Sequence, residues 1–91
     1  MSDEERVYIG SKPILAYVTA IVTSFSRSGT VKVMARGRSI SSAVDVVEVT
    51  KRNFMNDLVV DGVDIGTERL EGERGERNVS TITITLSRPK K

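Results

Sequence analysis

Two short stretches of this chain place cations where a phosphate can be gripped. Ser11-Lys12-Pro13 puts a lysine at the expected start of a helix, where backbone N–H groups point outward and favour anions. Standing alone, Ser-Lys-Pro reads equally as a solvated lysine beside a cap. Arg36-Gly37-Arg38 sets two planar guanidinium forks around a glycine. The glycine tolerates an unusual backbone angle and close approach of a ligand; the forks can clamp successive phosphates. An ordinary turn with two exposed arginines has the same sequence. A third group, Arg69, Arg74 and Arg77, is interleaved with Glu68, Glu71, Glu73 and Glu76, so that stretch also reads as a solvated loop. Asp61, Asp64 and Glu68 do not fall on one face of a strand, and no Asp-x-Asp-x-Asp-Gly loop is present. They read as solvated surface acids, and no metal or cofactor is expected.

Other chemistry is excluded by what the chain lacks. Its 91 residues contain no cysteine and no histidine. Disulfides, thiolate or imidazole metal sites, cysteine nucleophiles and Ser-His-Asp triads are therefore absent, and no enzyme is expected. Net charge is only +2, but it is segregated. Residues 6–52 carry eight bases against Asp45 and Glu48, whereas 53–77 carry three bases against seven acids. A basic first half can present a positive face to phosphates; solubility alone explains it as well. The acidic start Met1-Ser2-Asp3-Glu4-Glu5 is unlike a signal peptide, and no apolar run is long enough to cross a membrane. A cytoplasmic location is expected.

The elements that must position these residues follow from the hydrophobic pattern. A short strand over 6–9 ends at Gly10. Pro13 suits the first turn of a helix whose stripe is Ile14, Val18, Ile21 and Phe25, with Leu15 and Val22 beside it. Ser28-Gly29 should end that helix with a positive φ. Val31, Val33 and Ala35 alternate along a second strand over 30–35. Ser39, Ser41 or Ser42 caps a second helix with an inner stripe of Ile40, Ala43, Val44 and Val47, reaching Phe54. Asp45 and Glu48 early and Lys51 and Arg52 late match the helix dipole. A long strand over 58–70 bends at Gly62. Residues 71–77 form an exposed hairpin loop, and 80–86 a strand with Ile82, Ile84 and Leu86 inward. Residues 1–5 and 88–91 are expected to fray. The order is β-α-β-α-β-β, an α+β two-layer sandwich: two helices on one face of a four-stranded mixed sheet. Strands 1 and 2 lie side by side and parallel, so Lys12 and Arg36 leave the same edge of the sheet. So small a domain gains from dimerising.

Three stretches together resemble the Alba family of archaeal chromatin proteins. They are Ile9-Gly10-Ser11-Lys12-Pro13 with Tyr17-Val18; Ala35 to Ser41 running through Ala43-Val44-Asp45 to Arg52-Asn53-Phe54; and Val79-Ser80-Thr81-Ile82. The likeness spans Val7 to Leu86 and makes 1–91 one Alba-like domain. It implies the β-α-β-α-β-β fold, shared with the C-terminal domain of the third bacterial translation initiation factor. It also implies a chromosome-associated homodimer, or a heterodimer with a paralogue, that binds double-stranded DNA without sequence specificity, binds RNA and compacts the chromosome. By the same resemblance Ser11, Lys12, Arg36, Gly37 and Arg38 contact nucleic acid. Lys12 is a candidate for acetylation, reversed by a deacetylase. Arg74 and Arg77 lie on an arm that reaches along the minor groove, and Phe54 contacts a second dimer. Two departures stand out: Ser11 replaces the first of two lysines common in the family, and the arm is acidic. Tyr17, at the edge of the helix stripe, reads as a packing residue rather than a stacking platform. A mainly RNA-directed chaperone or ribonucleoprotein subunit, or a module binding an acidic protein, remains the alternative.

Overall fold

The computed structural model describes residues 4–89. The elements run β1 (Glu4–Tyr8), α1 (Ile14–Phe25), β2 (Thr30–Arg36), α2 (Ser39–Asn53), β3 (Val59–Gly72) and β4 (Gly75–Ser87). The sheet order is β1-β2-β4-β3. β1 pairs parallel with β2, β2 antiparallel with β4, and β3 antiparallel with β4. This is the expected α+β sandwich with a four-stranded mixed sheet.

Period-two alternation decides what the strands bury. Val7, Val31, Val33, Ala35, Ile82, Ile84 and Leu86 face the helices and join Tyr17, Val18, Ile21, Ala43, Val46 and Val47 in one core. α1 lies over β1 and β2, and α2 over β2. Met55 and Leu58, in the connection after α2, close one end of this core. The register skips a residue between Val60 and Gly62, so the bend expected at Gly62 is a β-bulge.

Several local expectations fail for identifiable reasons. α1 ends at Phe25, and its C-cap Ser26 keeps a right-handed φ of −75°. The turn into β2 is closed by the Ser28 hydroxyl, which donates to the Thr30 carbonyl and accepts from the Thr30 N–H; Gly29 does not adopt positive φ. No serine caps α2. Its N-cap is Arg38, without a side-chain bond, and its first turn holds no acid; Asp45 and Glu48 sit further along. On α2 the inward residues are Ala43, Val46, Val47 and Thr50, with Val44 exposed. The buried Thr50 hydroxyl is satisfied by the Val46 carbonyl one turn back. Residues 71–77 are no open loop: β3 and β4 stay paired out to Gly72 and Gly75, leaving a two-residue tip, Glu73-Arg74. Glu4 and Glu5, expected to fray, lie within β1, and Glu5 pairs with Arg27 at 3.0 Å. The fraying expected of residues 1–3, 90 and 91 concerns positions outside the described residues.

Candidate nucleic-acid interface

Parallel pairing of β1 and β2 sets the geometry. The register aligns Tyr8 with Met34, and one further bond runs from the Ile9 N–H to the Met34 carbonyl. Past these residues both strands leave the sheet at the same end, each turning into a helix. Ser11 and Lys12 therefore emerge beside Arg36, Gly37 and Arg38, with all five exposed. Neither helix carries an acid in its first turn. Two positive helix ends thus converge with no carboxylate of their own to neutralise them.

The loop that carries Lys12 is held from below. Tyr17 is buried, and its hydroxyl accepts the N–H groups of both Gly10 (2.8 Å) and Lys12 (2.9 Å). These two amides are consumed internally and do not face a ligand. What the loop offers outward is the side chains of Ser11 and Lys12. Tyr17 is more than packing, a role that its place beside the apolar stripe gave no sign of.

The second loop depends on Gly37. Its φ is +59°, in the left-handed region that favours glycine. Its N–H donates to the Ser80 carbonyl of β4 at 2.8 Å, and its carbonyl accepts the Ile40 N–H at 3.2 Å, starting α2. One glycine thus ends β2, ties the turn to the sheet and launches the helix, which makes a serine cap unnecessary. Arg36, the last residue of β2, reaches across the sheet: its Nη1 lies 2.7 Å from Glu68 Oε1. Sequence reasoning had no means of joining these two residues, which stand 32 positions apart. Among the described residues, Lys12, Arg38, Arg74 and Arg77 make no salt bridge.

The arm is a two-stranded ribbon. Residues directly opposite in an antiparallel pair share a face. Arg77 pairs with Leu70 and Glu68 with Val79, in register with Thr81 and Arg36 on the sheet face away from the helices. Arg69 belongs to the other face and is tied to Glu76 at 3.5 Å. Arg74 is at the exposed tip. Phe54 follows α2 as its C-cap and is 56% exposed, whereas its neighbour Met55 is buried. Asp61 and Asp64 are exposed, and Glu68 is engaged by Arg36.

Comparison with known proteins places this architecture. The Alba family model matches residues 5–67. The chain is 48% identical over 89 residues to the DNA/RNA-binding protein Alba of Methanothrix thermoacetophila, covering 97% of this chain and 100% of that one. It is 45% identical over 89 residues to the protein of the same name from Thermoplasma acidophilum, with the same coverage. The structure of Alba from Thermoplasma volcanium superposes with a TM-score of 0.88 at 45% identity, over 92% of this chain and 100% of that one. ALBA1 from Trypanosoma brucei shares the fold at a TM-score of 0.77 and 22% identity, over 94% of this chain and 70% of that one. The strand order, the two loops at the parallel strand ends and this similarity along nearly the whole length agree: the chain belongs to the Alba family.

Proposed function

We propose that this chain binds nucleic acid as a homodimer, taking double-stranded DNA without sequence specificity and also RNA, and that it helps compact the chromosome. The observation that carries this reading is the convergence of Lys12, Arg36 and Arg38 at two acid-free helix starts. Relatives that share 43–48% of its residues are named DNA/RNA-binding proteins, which supports the same class. The ligand groups are phosphates. Lys12 supplies a point charge; Arg36 and Arg38 supply planar forks; Ser11 and the absence of a side chain at Gly37 allow close approach. Phosphate contacts of this kind release counterions and read little sequence. Arg74 and Arg77 offer two further cations on an arm that is otherwise acidic.

The dimer reading is supported by the helix-side face of β3. Val63 and Ile65 share that face with Ile84 and Ile82, yet are 53% and 82% exposed. A second copy is the occupant this apolar edge suits. Phe54 is an exposed aromatic suited to contact between dimers. Lys12 is accessible to acetylation, which would remove its charge and which a deacetylase would reverse. Residues 1–91 act as one binding domain, with no catalytic role. No helix among the described residues is long and apolar enough to cross a membrane, and a chromosome-associated, cytoplasmic location follows from the DNA reading.

The test is a mobility-shift titration with unrelated 30-base-pair duplexes and matched RNA at several salt concentrations. Expected are similar affinities across sequences, reduced by Lys12→Ala and Arg36→Ala, and a steep salt dependence, reduced by Lys12→Ala. The DNA-to-RNA affinity ratio then separates a chromosomal from an RNA-directed role. No binding at low salt overturns the reading.

A further inference from the structure

The geometry points to Glu68 as a built-in rival of phosphate at Arg36, and so as a residue that sets the strength and salt dependence of nucleic-acid binding. The inference rests on the proposed function and deepens it. Arg36 on β2 is in register with Thr81 on β4, and Thr81 with Gly66 on β3. Glu68 lies two residues beyond Gly66, on the same face. No side chain stands at the Gly66 position itself, and a Cβ placed there would come within 3.3 Å of the Thr81 hydroxyl. Arg36 spans β4 to reach Glu68 at 2.7 Å, and both side chains remain about half exposed. The pair sits at the rim of a concavity lined also by Tyr8, Met34, Thr81 and Thr83.

The position of this pair matters more than its energy. Lys12 and Arg38 have no acidic partner among the described residues, whereas Arg36 enters any encounter already neutralised. A phosphate oxygen and the Glu68 carboxylate ask for the same fork donors. When a phosphate wins, the freed carboxylate gathers a cation from solution. That uptake cancels the counterion that the phosphate releases, so Arg36 adds binding contacts but little salt dependence. Glu68 is also carried by the root of the arm, paired with Val79 immediately before Ser80, whose carbonyl anchors Gly37. Arm and loop therefore share one clasp.

Glu68→Gln keeps the shape and removes the charge. In the duplex titration it should tighten binding about two- to fivefold per chain, the range of an exposed ion pair. It should also steepen the slope of log K against log salt by about 0.9 for each Arg36 contact. Glu71→Gln, an exposed acid further along the same strand, controls for simple loss of negative charge. In an Arg36→Ala background the Glu68→Gln effect should shrink to that of Glu71→Gln. Unchanged affinity and slope in Glu68→Gln overturns the inference, as does weakened binding or an effect that persists without Arg36. Wild-type protein that fails to bind at low salt defeats the proposed function itself; wild-type binding with a silent Glu68→Gln defeats this inference alone.

Discussion

Tyr17 and Gly37 carry the two loops in different currencies, one a side-chain hydroxyl and the other a backbone angle. Removing the hydroxyl in Tyr17→Phe strands the N–H groups of Gly10 and Lys12. The expected cost is about 1 kcal/mol for donors that are partly buried. Exchange of those two amides should quicken, and duplex affinity should fall although no charge is lost. Unaltered exchange at Gly10 and Lys12 would refute the positioning role. Gly37→Ala forces a Cβ into a left-handed residue. The Cβ would meet Val79 Cγ1 only at 3.5 Å, an ordinary contact, so the penalty is conformational, about 1 kcal/mol. For a chain of this size that lowers the melting temperature by about 4–8 °C, which calorimetry reads directly. Arg36-Gly37-Arg38 announced its glycine in the sequence. The Tyr17 bonds did not announce themselves, because a tyrosine beside an apolar stripe is compatible with packing alone.

At the scale of elements, legibility tracked how sharply burial divides neighbouring positions. β2 and the inner half of β4 alternate strictly, with Val31-Val33-Ala35 and Ile82-Ile84-Leu86 inward, and both faces could be assigned from sequence. α2 could not be phased as well. Val44, Val46, Val47 and Val49 crowd one segment, so a stripe through Val44 and one through Val46 look alike until the sheet selects the second. The pattern alone reads Glu71 to Arg77 as a hairpin loop, because it contains no apolar residue; the family resemblance makes it an arm. Its pairing is sustained by the ladder and the tip rather than by a buried side chain. The Arg36–Glu68 pair follows from the strand order β1-β2-β4-β3, which no local pattern specifies.

The link between β1 and the end of α1 yields a pH dependence. The hydrogen bond from Arg27, aided by its charge, holds the Glu5 carboxyl below its ordinary value. A lowered carboxylate pKa stabilises the fold above the unfolded value, and the benefit is lost as pH falls through the folded one. Thermal melts of the wild type and Glu5→Gln should therefore differ at pH 7. They should converge once acid protonates Glu5, below the usual carboxylate range of about 4. A gap that persists at pH 2.5 would assign the difference to something other than the ion pair.

For the molecule as a whole, the exposed edge and the arm set its behaviour. Ile65→Lys places a charge in the apolar face assigned to the second copy. On the proposed dimer, sedimentation should show a dimer for the wild type and a monomer for this variant, and duplex binding should weaken because each complex loses half its cations. An Ile65→Lys protein that still sediments as a dimer would move the interface elsewhere. The described residues extend 51 × 29 × 19 Å. Beyond the layer covered by helices, the ribbon of β3 and β4 is a stalk whose residues 71–78 are all exposed. Such a stalk is free to change length without consulting the core. Adding two residues to each strand lengthens it by about 7 Å and preserves which side chains face which way. Adding one to each reverses those beyond the insertion, turning Arg77 to the opposite side. If the arm follows a duplex as the proposed function has it, its reach changes in even steps, a quantised trait that evolution or design can adjust while the fold stays the same.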